Sequence, residues 1–145
     1  EQIRCNISDD ILFDSVKGNM TICGRIPQTE VYGKLREADF SIFLREKRRS
    51  STAGFPTKLA ESMAVGTPVI TNKTGSIAKY LTNKKNGFLI ETVSADELSG
   101  VFHTILELKE NDYRKMRLES RRMAEKSFDY RKYIDQLSKF FSGRQ

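Results

Sequence analysis

The sequence predicts a doubly wound α/β domain with a mostly parallel sheet and helices on both faces. Three observations carry this. Five short apolar runs alternate with stretches of helical periodicity along the 145 residues, the pattern of repeated strand and crossover-helix units. Each run is punctuated by Gly, Pro or Asn, the residues that end strands and helices. The best-defined stretch, Asp39 to Asn72, reads as strand, polar loop, helix, strand. In such sheets ligands bind outside the carboxyl ends of the strands, close to the switch in strand order.

Gln2 to Ile7 is the first strand, and Ser8-Asp9-Asp10 caps a short helix through Ile11, Leu12, Phe13 and Val16. Lys17-Gly18-Asn19 turns the chain into a second strand, Met20 to Cys23, which ends at Gly24-Arg25-Ile26-Pro27. Thr29 caps or opens a helix whose inward stripe is Val31, Leu35 and Ala38. Asp39 to Leu44 is the next strand, taken as central. It opens into a polar loop, Arg45 to Ser51, and the basic run Lys47 to Thr52 reads either as a mobile flap over an anion or as a solvated loop.

From Ala53 the chain reads as a helix to Ala64, and Gly66-Thr67-Pro68-Val69-Ile70-Thr71 begins the fourth strand. On a helical wheel Leu59, Ala60, Met63 and Ala64 share one side, and Lys58, Glu61 and Ser62 the other. Unpaired amides and the positive end of the helix dipole at a strand's carboxyl edge suit an anion. Lys58 in the first turn is disfavoured by the dipole unless an anion binds beside it. The same wheel also admits a plain surface pair between Lys58 and Glu61.

Beyond this, Ser76 caps a helix containing Ile77, Tyr80 and Leu81, Asn83 to Gly87 turns, and Phe88 to Ile90 is the fifth strand, at an edge. Ser94 and Glu97 form a capping box ahead of a core stripe of Leu98, Val101, Phe102, Ile105 and Leu106. Tyr113 to Lys126 continues as a basic helix with Arg114, Arg117 and Arg121 on one side, a solvated face or a contact with an anionic membrane. Phe128 begins a final helix with Tyr133, Ile134, Leu137, Phe140 and Phe141 as its apolar face.

Composition narrows the class. No run approaches the roughly 18 to 20 apolar residues of a membrane span. Cys5 and Cys23 lack metal-ligand spacing and read as small core residues of a reducing compartment, and His103, the single histidine, reads as a surface or boundary residue. The net charge of +6 comes from 25 basic and 19 acidic residues, mostly interspersed. It suits an acidic partner without choosing among nucleotide, nucleic acid and anionic lipid. No nucleic-acid motif with interleaved aromatics accompanies it.

Gly54-Phe55-Pro56, Glu61-Ser62-Met63-Ala64 and Gly66-Thr67-Pro68-Val69-Ile70 resemble the donor-binding segment of retaining, nucleotide-sugar-dependent glycosyltransferases of the GT-B fold. The family is the group 1, or family 4, type of bacterial polysaccharide assembly, such as capsule or lipopolysaccharide synthesis. The likeness runs in order from Gly24 to Tyr130. It implies a Rossmann-like donor domain over residues 1–145, shortened at its amino-terminal edge, with the acceptor domain outside this chain and the isolated piece inactive. It implies a UDP- or GDP-sugar donor, a glycan or lipid-linked acceptor, no metal or other cofactor, and a cytoplasmic site, with peripheral membrane contact as an option.

By the same resemblance Glu61 holds the nucleotide ribose, and Arg25 and Ile26 lie beside the base. Gly54, Phe55, Pro56, Thr57, Lys58 and Leu59 surround the diphosphate, with Arg45 next to them. Where the family carries a first glutamate, near the reacting carbon, this chain has Ala53. Arg45 or Glu46 is then the neighbour available to the sugar, or the domain is a non-catalytic nucleotide-binding module. The resemblance names no catalytic residue.

Overall fold

The structure is a computed structural model and describes residues 17–143. The expected strand Gln2 to Ile7, the helix through Val16 and Cys5 lie outside the described residues. Three strands form one parallel sheet in the order β1-β2-β3: β1 (Ser41–Ile42), β2 (Val69–Asn72) and β3 (Gly87–Ile90). Ser41 sits opposite Val69 and Ile42 opposite Ile70, while β2 and β3 pair from Val69–Gly87 to Asn72–Ile90. Among the described residues β2 is therefore the central strand, and β1, expected in the centre, is at an edge.

The remaining elements are helical. They are α1 (Gln28–Glu37), α2 (Arg49–Ala53), α3 (Thr57–Ala64), α4 (Ala95–Leu106), α5 (Glu110–Ser127) and α6 (Ile134–Ser142), with 3-10 turns at Lys17–Asn19, Ile77–Lys79 and Tyr130–Tyr133. Alternation along the strands gives the sheet two apolar faces. Val69 packs with Leu59 and Met63 of α3, Ile77, Leu81 and Ala124, whereas Ile70 and Phe88 pack with Met116 and with Leu98, Val101 and Ile105 of α4. Helix α5 contributes to both cores, so the domain is α/β and Rossmann-like, with helices on both faces.

The two sheet edges differ. Along β3 three outward-pointing groups, Gly87 O, Leu89 N and Glu91 N, meet Lys84 N at 2.8 Å, Asn83 Oδ1 at 3.1 Å and Glu97 Oε2 at 3.0 Å, so turn and cap residues cover part of that edge. Glu97 also accepts from Thr92 N and Oγ1, while Ser94 Oγ caps Glu97 N. The expected capping box is thus real but reaches back to Glu91 and Thr92 instead of Ser94. The Thr92 hydroxyl, followed by the Thr92 and Glu91 amides, holds the Glu97 carboxyl below its ordinary range.

Several expectations are corrected. Met20 to Cys23 forms no strand: Ile22 is 62% exposed, Cys23 is exposed and not a core residue, and no neighbouring edge among the described residues offers a ladder. The run Arg49 to Ala53, expected as loop and then the start of the motif helix, is its own short helix, and the motif helix starts only after Pro56. Ser76 makes no side-chain cap, and it leads into a three-residue 3-10 turn rather than a helix. In α4 the packed stripe is narrower than expected and only half-buried, with Leu98, Val101 and Ile105 against the core, Phe102 exposed and Leu106 82% exposed. On α6 and the turn before it, Tyr133, Ile134, Leu137, Phe140 and Phe141 are all exposed. No helix among the described residues is long and apolar enough to cross a membrane, and His103 is exposed.

The basic stripe of α5 works inside the domain. Arg117 Nη2 donates to Arg36 O at 3.0 Å, and its Nη1 donates to Ala38 O and the Tyr113 hydroxyl at 3.1 and 2.8 Å, closing the carboxyl end of α1. Arg121 donates to Ala64 O at the end of α3 and pairs with Glu125, while among the described residues Arg114 pairs only with Glu110. Cations at helix carboxyl termini satisfy orphan carbonyls and favour the dipole. Arg117→Ala is expected to lower unfolding free energy by about 1.5 to 3 kcal/mol, and Arg114→Ala by less than about 0.5 kcal/mol, in urea denaturation. Equal effects would show that the α1 contacts carry nothing.

Candidate functional site

The carboxyl ends of β1 and β2 and the amino end of α3 meet at one edge of the sheet. Helix α3 has eight residues, Pro56 in the N-cap position, no side-chain cap and no acidic residue in its first turn. Leu59 N donates to Pro56 O at 3.0 Å, but the amides of Phe55, Thr57 and Lys58 meet no acceptor among the described residues. Leu59 is fully buried, so of its atoms only the backbone stands near the edge. Lys58 is exposed and Glu61 half-buried one turn later, and neither is in an ion pair among the described residues. The alternative of a surface Lys58–Glu61 pair is therefore not what the structure contains.

The helix is held in place by its other side. Leu59, Ser62 and Met63 are buried, which moves Ser62 from the expected polar side to the core. Beyond α3, Gly66 at φ +79° accepts the left-handed conformation that stops the helix, and its N–H donates to Met63 O. Thr67 then donates through Oγ1 to Leu35 O before β2 begins.

The loop entering α3 is anchored by an aromatic trio that no local sequence signal announces. The Phe55 ring lies 5.5 Å from Tyr80 and 5.3 Å from Phe128, and Tyr80 and Phe128 are 4.9 Å apart. Phe55 is thus a packing residue between the chain after the 3-10 turn and the end of α5. Behind the loop, Gly75 at φ +53° lies so close to α2 that a Cβ would sit 2.7 Å from Thr52 O. No side chain fits there. The expected flap therefore carries a helical turn pressed against a second loop, although Lys47, Arg48 and Arg49 are exposed.

On the other flank, Asn72 is 1% exposed and binds the backbone of Arg45 twice. Arg45 N donates to Asn72 Oδ1 and Asn72 Nδ2 donates to Arg45 O, both at 2.8 Å. The Arg45 guanidinium donates to Gly54 O at 3.1 Å. A cavity of about 370 Å³ opens beside this clamp, bounded by Leu44, Arg45, Lys47, Asn72, Thr92 and Val93. Glu46 is paired with Arg48. Asn72 was legible only as a polar residue ending an apolar strand, a weak signal.

The structure thus brings Arg45, Gly54, Phe55, Pro56, Thr57, Lys58, Leu59 and Glu61 to one region. It does not bring Arg25 and Ile26 into hydrogen-bond or ion-pair contact with them: Arg25 is exposed, Ile26 is half-buried, and both lie in the coil before α1. Chemically the edge offers amide donors, and an ammonium and a carboxylate that are free of ion pairs among the described residues. That set suits an anion carrying hydroxyl groups.

Comparison with known proteins gives the family and the fold. A family model described as "Glycosyl transferases group 1" matches residues 6–123. The amylovoran biosynthesis glycosyltransferase AmsK of Erwinia amylovora is 32% identical over 103 residues, 69% of this chain and 24% of that protein. The chain therefore spans about a quarter of the length of this relative. Among solved structures, sucrose-phosphate synthase of Thermosynechococcus elongatus superposes with a TM-score of 0.76 at 18% identity, covering 92% of this chain and 33% of its own. Anabaena HepE in complex with UDP-glucose superposes with a TM-score of 0.63 at 20% identity, covering 76% and 29%. At these identities the superpositions speak for the fold, that of GT-B glycosyltransferases.

Because Phe55 is the wedge that fixes the loop, Phe55→Ala is expected to cost about 1 to 3 kcal/mol of stability and to raise trypsin cleavage after Arg48, Arg49 and Lys58. A variant as stable and as resistant as the parent would show that the trio does not anchor the loop.

Proposed function

The chain belongs to the group 1 glycosyl transferases, and on that basis we propose that it binds the donor in an enzyme that moves a sugar from a nucleotide diphosphate to a glycan or lipid-linked acceptor. The observation that carries the reading is the amino end of α3, where among the described residues the Thr57 and Lys58 amides are unengaged and the Lys58 ammonium is unpaired, with the Glu61 carboxylate one turn in. The likeness to an amylovoran biosynthesis enzyme supports polysaccharide assembly as the setting, and the neighbour holding UDP-glucose supports a UDP-sugar donor.

In this reading the diphosphate lies against the first turn of α3. Glycosyl transfer develops positive charge on the sugar and negative charge on the departing diphosphate. Amides that are already oriented and a lysine at hand stabilise that charge without reorganising. They act through the dipole and hydrogen bonds, which explains a lysine at a position the helix alone disfavours. Glu61 accepts the ribose hydroxyls. Retention at the anomeric carbon, a cytoplasmic location for the protein and an acceptor bound by a second domain belong to the same proposal by family likeness.

Ala53 gives a second reading its one support. It ends α2 where the family has its first glutamate, and the nearest carboxylate in sequence, Glu46, is taken by Arg48. A domain that binds nucleotide without transferring sugar would look like this. Turnover of a UDP-sugar by the intact protein separates the two.

Titration with UDP and GDP by calorimetry tests the site itself. The expected result is saturable binding of one of them, weakened at least about tenfold by Glu61→Ala or Lys58→Ala, since tenfold is about 1.4 kcal/mol. Binding unchanged in both variants, or no binding by the intact protein, would overturn the assignment.

A further inference from the structure

We infer that Asn72 and Arg45 form a lock that sets the direction of the Gly54–Phe55 peptide, and so act as positioning residues for the anion site at the start of α3. This rests on the donor-site reading above. Neither residue need touch the donor.

The β1–β2 ladder sets up the lock. Ser41 N donates to Pro68 O and Phe43 N to Ile70 O, so alternate residues of β1 face β2. The next rung would join Arg45 N to the backbone of Asn72. Instead the Asn72 side-chain amide makes it, accepting from Arg45 N and donating to Arg45 O, both at 2.8 Å. A carboxamide is the side chain that offers one acceptor and one donor to a single residue in this way. Asn72 is 1% exposed and Arg45 half-buried, and losing the Asn72 side chain would remove the partner that both Arg45 backbone groups have among the described residues. The lock therefore extends a two-residue strand just far enough to fix Arg45.

Arg45 then reaches across the crest. Its Nη1 donates to Gly54 O at 3.1 Å. In a planar trans peptide the carbonyl and the following N–H point in opposite directions. Holding Gly54 O toward Arg45 turns the Phe55 N–H away from Arg45, and that N–H has no acceptor among the described residues. It also keeps Gly54 O, an atom that repels anions, engaged with a cation. Glycine at this position leaves the peptide free to rotate, so its direction depends on such a bond. Pro56 has no N–H of its own, so Phe55, Thr57 and Lys58 are the donors the turn presents.

The experiment compares Asn72→Ala, Arg45→Ala, Arg45→Lys and the double alanine variant in the full chain, by backbone nitrogen-15 relaxation and UDP titration. Order parameters at the unbonded Phe55, Thr57 and Lys58 amides are expected to fall in either single alanine variant, with α4 unchanged. UDP affinity is expected to fall by about five- to thirtyfold, and the double variant to be no weaker than the worse single one, because both act through one peptide. Lysine at position 45 is expected to restore part of the affinity.

Order parameters that fall throughout the domain, or affinity losses that multiply in the double variant, would overturn the lock and leave two independent stabilising residues. So would unchanged order parameters at the three amides. If Asn72→Ala does not fold, the two Arg45 variants decide by the same criteria. Glu61→Ala is expected to lose UDP binding with normal order parameters at these amides, so a failed lock is distinguishable from a failed donor site. If the parent protein binds no UDP, the donor reading falls and the relaxation data alone judge the lock.

Discussion

The domain depends on how an eight-residue helix is held. A helix of that length has little stability of its own, because nucleation is costly and few bonds repay it. Helix α3 stays in place because Leu59 and Met63 are fully buried against β2 and α5, and because Arg121 binds the carbonyl of Ala64 at its far end. All of this fixation lies on the side and end away from the crest. The amino end, fixed by packing, keeps its donors for something else.

That division accounts for much of the rest. Gly66 stops α3 and returns the chain into β2, the strand with every residue buried. Asn72 ends β2 and clamps Arg45, Phe55 wedges the entering loop between Tyr80 and Phe128, and Gly75 lets the next loop lie on α2. These contacts come from distant stretches of chain, yet all converge on the turn from Gly54 to Pro56. A rigid crest is what transition-state electrostatics require, since donors that must reorganise lose most of their advantage.

How much of this was legible in the sequence depends on how local each signal is. The stretch around β1, α3 and β2 could be read because Gly-Phe-Pro, the apolar wheel positions and Gly-Thr-Pro are all local. The strand expected at Met20 to Cys23 could not, because a strand is stable only with a partner, and its apolar run carries no record of one. Ser62 was put on the wrong side of the wheel because a serine is polar on any scale but small enough to sit in a helix contact. Phe102 and Leu106 extended the stripe of α4 on hydropathy alone, while the sheet beneath is only three strands wide among the described residues. Arg117 and Arg121 read as a surface charge pattern, and their acceptors are helix-end carbonyls that no sequence window contains. Asn72 and the aromatic trio went unread for the same reason.

The most direct measurement is the pattern of backbone amide chemical-shift changes on adding UDP to the isotope-labelled protein. The account predicts that the largest changes fall on Phe55, Thr57, Lys58 and Glu61, with α4 and the carboxyl half of α5 unmoved. Changes centred elsewhere, or a saturable ligand that leaves the amides at the start of α3 undisturbed, would contradict it.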